Sequence, residues 1–106
     1  MRSSQEEQLM RDPLKVASNV AGLLMENDRV RVLSGSLKPG DKAAMHSHPD
    51  HVLYVTKGGK VRMTFPSGSA DERELEVGKA IFVGAESHEF TNVGDTVVEF
   101  VVIELK

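Results

Sequence analysis

Cysteine and tryptophan are both absent from the 106 residues of this chain. Without thiols the protein forms no disulfide and has no thiolate metal site or cysteine nucleophile, so any bound metal must be held by nitrogen or oxygen ligands. Lysine and arginine number 13 against 16 acidic residues, giving a net charge of -3 and no basic patch. We therefore expect an ordinary globular domain with no nucleic-acid partner.

The N-terminal residues lack the apolar segment that a signal peptide or a membrane helix needs. They read MRSSQEEQLMRDP and include two glutamates. We expect a cytoplasmic protein with no membrane partner. Residues 1–19 are predicted to form an arm that is flexible or packs on a partner subunit, followed by one domain over residues 20–106.

From residue 20 onward, short apolar stretches alternate with turn-forming residues, which is typical of an all-β barrel or sandwich. Gly58-Gly59 indicates a hairpin turn. The last apolar stretch is interrupted only by Glu99, which predicts that both faces of that strand are covered, for example by a second subunit. The predicted strands cover residues 20–25, 29–37, 51–56, 60–65, 73–77, 80–83, 88–92 and 96–105.

Four histidines are the most informative residues, and three of them, His46, His48 and His51, lie within six positions. In an extended strand His46 and His48 point to the same face while Ser47 points to the other. Two imidazoles spaced in this way can bind one divalent ion. An isolated pair of this kind is as often found in a polar surface loop, so the context has to decide.

The context resembles the first motif of the cupin superfamily, a glycine, five residues, His-x-His, a glutamate and a second glycine. Here Gly40 is followed by five residues and then His46-Ser47-His48. His51 is followed by six residues and then Gly58, as in the closing half of the motif. His51 therefore takes the place of the glutamate, although it lies one residue closer to His48 than the family pattern has it.

The second cupin motif is matched at its two ends. Gly78 opens the segment, and His88 and Asn92 have its closing spacing, whereas Gly84 stands where the family has proline. Strict counting from Gly78 would put Glu89 in the ligand position, but the closing spacing favours His88. On a strand His88 and Asn92 share a face, and Glu89 points to the exterior.

The resemblance covers about residues 20–105 and implies a small cupin jelly-roll barrel, which is a double-stranded β-helix. It further implies one divalent transition metal ion bound by His46, His48, His51 and His88. Some cupins have histidine at the glutamate position, and the ligands are then all imidazoles. Such ligands accept iron, manganese, zinc, nickel or copper, so the sequence leaves the metal open.

The resemblance suggests a dioxygenase-like enzyme acting on a small chelating carbonyl or phenolic compound. An isomerase or cyclase of a sugar or polyketide-like substrate is an alternative, and so is a module that binds a small molecule or metal without catalysis. Catalytic residues are not readable from the sequence. The expected partners are a small-molecule ligand and a second copy of the chain, because small cupins commonly form homodimers.

Three further expectations concern the surroundings of the ion. Asp50 either orients one of the imidazoles or serves as a turn residue. Tyr54 lies on the strand face opposite His51, so we expect no acid–base role for it. Several apolar side chains are predicted either to line a cavity around the ion or to form plain core, namely Met45, Met63, Phe65, Phe82, Phe90 and Phe100.

Overall fold

A computed structural model describes residues 11–106; residues 1–10 of the predicted arm lie outside the described residues. The described part contains one short helix and nine strands. In it, no helix is both long enough and apolar enough to cross a membrane. The elements are α1 (Pro13–Val16), β1 (Ala21–Glu26), β2 (Val30–Leu37), β3 (Lys42–His48), β4 (His51–Lys57), β5 (Gly59–Thr64), β6 (Ala70–Leu75), β7 (Ala80–Val83), β8 (Glu86–Asn92) and β9 (Val98–Leu105).

The strands form two antiparallel sheets that pack face to face, as the predicted all-β jelly roll requires. One sheet has the order β1-β2-β9-β4-β7, and the other has the order β3-β8-β5-β6. Apolar side chains from both sheets meet in one core, where Leu37, Val55, Val61 and Val98 are completely buried. The double-stranded β-helix predicted from the motifs is therefore confirmed.

The end of the predicted arm, residues 11–19, contains helix α1. The Asp12 side chain accepts a hydrogen bond from the Leu14 N–H at 2.9 Å and so caps the helix, and Pro13 occupies its first turn. Pro13 and Ala17 are buried against the barrel. A single turn of helix has little stability of its own, so this packing and the cap keep it in place.

Strand β3 was not among the predicted strands, although it carries two of the histidines. Its sequence, KAAMHSH, has no β-branched residue and therefore little strand propensity. It is extended because it pairs with β8, with Ala43 opposite Phe90 and His46 opposite His88. An irregularity between Ala43 and His46 further weakens the alternating pattern that a sequence reading depends on.

Two other predictions about strands were wrong. Strand β6 was expected at residues 73–77, but it runs from Ala70 to Leu75 because these are the residues that pair with β5. Gly58-Gly59 is not a hairpin turn, because β4 and β5 belong to different sheets. Side chains are excluded there by close packing, since a Cβ on Gly59 would lie 2.7 Å from the Thr96 hydroxyl oxygen.

The motif residues outside the histidines stabilise turns. Gly40 and Gly78 have φ angles of 88° and 84°, which favour glycine. Asn92 is buried, and its amide donates to the carbonyls of Leu37 and Thr96 at 2.9 and 2.8 Å while its oxygen accepts from the Gly94 N–H at 3.0 Å. These residues fix the ends of the strands that carry the histidines.

Candidate metal site

The four histidines come from three strands and meet inside the barrel. His46 and His48 lie on β3, His51 is the first residue of β4, and His88 lies on β8. Their exposed fractions are only 3 to 5%. Because β3 and β8 pair antiparallel with His46 opposite His88, the two imidazoles point into the same space between the sheets.

Three of these histidines form a compact group. One ring nitrogen from each of His46, His48 and His88 lies within 4.8 Å of the others. The ring centroid of His46 is 4.9 Å from that of His48 and 4.7 Å from that of His88. Side chains this close are able to bind one ion with modest rotation of the rings.

His51 lies beside this group. Its ring centroid is 4.6 Å from that of His48, but its nitrogens do not meet the mutual distance that the other three satisfy. The structure thus brings together all four predicted residues and groups three of them tightly.

Each imidazole uses Nδ1 for a hydrogen bond within the protein. Nδ1 of His46 is 2.7 Å from the carbonyl oxygen of Ala44, and Nδ1 of His51 is 2.8 Å from that of Pro49. A carbonyl oxygen only accepts, so Nδ1 carries the proton in both rings. The lone pair of each neutral ring is then on Nε2, which is the nitrogen left for a metal ion.

Carboxylates play the same part for the other two rings. Nδ1 of His48 donates to Glu104 at 2.7 Å, and Nδ1 of His88 donates to Glu86 at 2.6 Å. Sequence reasoning identified neither glutamate. Glu86 had a signal, since two positions before His88 on a strand is the same face; Glu104 had none, because it reaches His48 from a strand 56 residues away in sequence.

Burial favours the neutral form of His46, His48 and His88. Burial first, and then the charge of neighbouring His88, lower the pKa of His46 from 6.5 to about 4. Burial also lowers the pKa of His48 and of His88, although Glu104 and Glu86 partly oppose this. Burial alone would raise the pKa of Glu104, but hydrogen bonds from His48 and Arg31 outweigh it and lower that pKa.

The histidines line one end of a cavity of about 110 Å³ between the sheets. Most of its wall is apolar, and it includes four of the six predicted side chains: Met63, Phe65, Phe90 and Phe100. Met45 is not part of the wall, and Phe82 points away from it and is 63% exposed. The polar residues of the wall besides the histidines are Ser34, Arg73 and Glu86.

Asp50, Tyr54 and Glu89 are not part of the cavity wall. The Asp50 carboxylate accepts from the Ala85 N–H at 2.9 Å and thus joins two loops, whereas the Nδ1 hydrogen bonds of the four imidazoles go to other residues. Tyr54 is on the outer face of the sheet and 43% exposed. This is as expected, because a residue three positions after His51 on a strand points to the opposite face. Glu89 points outward and pairs with Lys42 at 3.4 Å.

The donor set fits a divalent transition metal ion. Neutral imidazoles with a free Nε2 are suitable ligands for zinc, iron, copper and nickel, and the hydrogen bonds at Nδ1 hold each ring in orientation. In His46, His48 and His88 desolvation disfavours protonation of Nε2 and outweighs the acceptors at Nδ1, which favour it. The group is therefore prepared for a metal ion in a way that four separate surface histidines would not be.

Comparison with known proteins supports the fold and the motif assignment. The family model for the cupin domain matches residues 33–104, which include all four histidines. A cupin domain from Bordetella pertussis is 27% identical, with a TM-score of 0.75 over 82% of this chain and 92% of the other. No curated protein matches the sequence.

More distant solved structures share the fold. An RmlC-like cupin family protein from Methanocaldococcus jannaschii is 19% identical, with a TM-score of 0.63 over 81% of this chain and 78% of its own. The DMSP lyase DddQ from Ruegeria pomeroyi is 16% identical, with a TM-score of 0.62. The match covers 81% of this chain but only 46% of the lyase.

The lowered histidine pKa values predict that the metal-free protein is destabilised by acid. In the unfolded chain His46 has its ordinary pKa of 6.5, against about 4 when folded, so between these pH values the unfolded state binds the extra proton. The contribution of neutral His46 to the free energy of unfolding is fully present above pH 6.5. It falls by about 3 kcal/mol as the pH is lowered towards 4. Urea unfolding after metal removal, at pH 7 and pH 5, measures this.

The His46→Gln variant is the control, because it removes one of the groups that titrate and should show a smaller change between the two pH values. Equal urea midpoints for the wild-type protein at pH 7 and pH 5 would contradict the prediction.

Proposed function

This chain belongs to the cupin domain family, and from that premise we propose that it is a small metal-dependent enzyme, dioxygenase-like, for a small chelating carbonyl or phenolic substrate. The observation that carries the proposal is the group of His46, His48 and His88, whose free nitrogens adjoin an apolar cavity. A closed structural metal site would not need such a cavity beside it.

We propose that His46, His48 and His88 hold the ion and that His51 is its fourth ligand. Three observations on His51 support this assignment. Its side chain is 3% exposed, its ring contacts that of His48, and its Nδ1 hydrogen bond to Pro49 leaves Nε2 free. When bound, a divalent ion without carboxylate ligands keeps its full charge and binds and polarises oxygen atoms of a substrate.

The rest of the cavity supports a redox reaction better than proton transfer. Apart from the histidines, the described residues of the wall offer one carboxylate, that of Glu86, and it accepts the hydrogen bond of His88. The cavity thus holds no carboxylate free to act as a general base. Its apolar side chains, including Phe90 and Phe100, exclude water and favour a substrate with a hydrophobic body.

A non-oxidative isomerisation or cyclisation is the second candidate, and the position of His51 favours it. If three histidines suffice for the ion, His51 is an imidazole in the cavity wall whose Nδ1 is hydrogen-bonded and whose Nε2 faces no protein partner in the described residues. A DMSP lyase has the same fold, which is a precedent for non-oxidative chemistry in a barrel of this kind. Binding of a small molecule without catalysis is the third candidate.

We also propose that the protein forms a homodimer through the outer face of the five-stranded sheet. Register places five apolar residues side by side across this face, one on each strand: Met25, Val32, Ile103, Val52 and Phe82. Met25 is 46% and Phe82 is 63% exposed in the single chain. A continuous apolar row of this kind is typical of a face covered by a partner, and a second copy offers a matching row.

The metal assignment predicts about one ion per chain in protein produced in iron-, manganese- or zinc-supplemented medium. The His46→Ala/His48→Ala double variant should contain none, because two of the grouped nitrogens are lost. His51→Ala should fold but release its metal to a chelator faster than the wild-type protein. Elemental analysis of the purified proteins measures the content.

Ser47→Ala is the matched control, since Ser47 lies between the two ligands but its hydroxyl contacts Ser87. Absence of metal from the wild-type protein in all media would refute the metal site, whereas unchanged retention in His51→Ala would refute only the fourth ligand.

The proposed reaction predicts oxygen consumption when the iron(II)-loaded protein is mixed with 1,3-diketones or catechols. An oxygen electrode measures the rate, which should fall to background in the His46→Ala/His48→Ala variant. Conversion of a substrate without oxygen uptake would favour the isomerase or cyclase. Binding of the compounds without conversion would indicate a binding module.

The proposed dimer predicts that Phe82→Asp converts the protein to a monomer, because a charge is placed in the apolar row. Sedimentation velocity gives the mass in solution. Val77→Asp is the control, since Val77 is 67% exposed but lies in the turn after β6 and outside the row. A monomeric wild-type protein would rule the interface out.

A further inference from the structure

A chain of buried charged side chains runs from one proposed metal ligand to the N-terminal segment. Glu104 is 3% exposed and lies opposite both Arg31 on β2 and His51 on β4. One of its carboxylate oxygens accepts from Nδ1 of His48 at 2.7 Å, and the other accepts from Nε of Arg31 at 2.8 Å. Both oxygens are thus engaged, and the carboxylate has one orientation in which both bonds form.

The guanidinium of Arg31 extends this chain to Asp12. Its two terminal nitrogens donate to the two carboxylate oxygens of Asp12 at 2.7 and 3.1 Å, while Nε remains on Glu104. Only the planar fork of arginine makes all three bonds at once, and a lysine would make one or two. The Arg31 side chain is 16% exposed and that of Asp12 is 11% exposed, so neither pair is an ordinary surface ion pair.

The N-terminal segment, residues 11–17, also contacts the site through its main chain. The carbonyl oxygen of Arg11 accepts from the N–H of Ser47 at 2.9 Å, and Ser47 lies between His46 and His48. Pro13 and Ala17 form part of the wall of the cavity that the histidines also line. The segment is therefore joined to β3 twice, once at the main chain between two histidines and once through Arg31 and Glu104 to His48.

We propose that the N-terminal segment is an integral part of the metal site, in which Asp12 positions Arg31, Arg31 positions Glu104, and Glu104 holds the ring of His48 for the metal ion. This rests on the proposed metal function and adds three positioning residues to it. Loss of a group that orients a metal-binding histidine typically lowers metal affinity ten- to a hundredfold. If the ion pairs served only to attach the segment to the barrel, their loss would lower the folding stability and leave metal affinity unchanged.

The test is the affinity of the full-length protein for Zn²⁺, measured by competition with a chelating dye, with the Co²⁺ absorption spectrum as a report on ligand geometry. Glu104→Gln should bind Zn²⁺ roughly ten- to a hundredfold more weakly, because a glutamine amide has one accepting oxygen and cannot accept from both His48 and Arg31 as the two carboxylate oxygens do. Asp12→Asn should show a smaller loss and an altered Co²⁺ spectrum. Asparagine caps a helix as well as aspartate does, so this variant removes the charge and leaves the cap.

Because Asp12 acts through Glu104, the Asp12→Asn/Glu104→Gln double variant should bind Zn²⁺ about as weakly as Glu104→Gln alone. Arg31→Lys, which retains the charge but not the fork, should have an intermediate affinity. Arg62→Gln is the matched control and should bind as the wild-type protein does, since Arg62 forms a 2.6 Å pair with Glu72 that is exposed and remote from the histidines.

Unchanged Zn²⁺ affinity in Asp12→Asn would overturn the inference, and so would fully additive losses in the double variant. Either result leaves the metal site itself intact, provided that the wild-type protein binds Zn²⁺. Failure of the wild-type protein to bind Zn²⁺ or Co²⁺ would overturn the proposed metal function together with the inference that rests on it.

Discussion

The antiparallel pairing of β3 with β8 is the constraint on which the site depends. It sets His46 opposite His88, and the two-residue repeat of a strand then places His48 on the same inner face as His46. A shift of this register by one residue would turn the imidazoles of one strand out of the cavity. Strand β3 has little strand propensity of its own, so its extended conformation depends on the pairing with β8.

Enclosing four imidazoles in a small barrel is possible because each has a hydrogen-bond partner. A buried and unpaired N–H would cost about 1–3 kcal/mol, and four of them would consume much of the stability of a domain of this size. Two main-chain carbonyls and two carboxylates accept these protons. In the described part of the chain no buried side-chain nitrogen or oxygen lacks a partner. The same bonds that make burial tolerable also leave Nε2 free.

The two faces of the five-stranded sheet have different roles. Its inner face contributes Val102 and Phe100 to the cavity and Glu104 to His48, whereas its outer face carries the apolar row that includes Ile103. Strand β9 lies in the middle of this sheet and serves both faces, since alternate residues point in opposite directions. A strand that is apolar on both faces, as the sequence suggested, is explained by a cavity on one side and a proposed partner on the other.

The sequence by itself determined the β architecture, and it identified the motif glycines Gly40 and Gly78 and the four histidines as candidate ligands, because turn chemistry and the spacing of His46 and His48 act over a few residues. Only the tertiary structure decided that Lys42–His48 is a strand, that β4 and β5 lie in different sheets, and that the Asp50 carboxylate accepts from the N–H of Ala85. Asp12, Arg31 and Glu104 became visible only there as well. They are far apart in the chain, and no local pattern records which buried charges the closure of a barrel brings into contact.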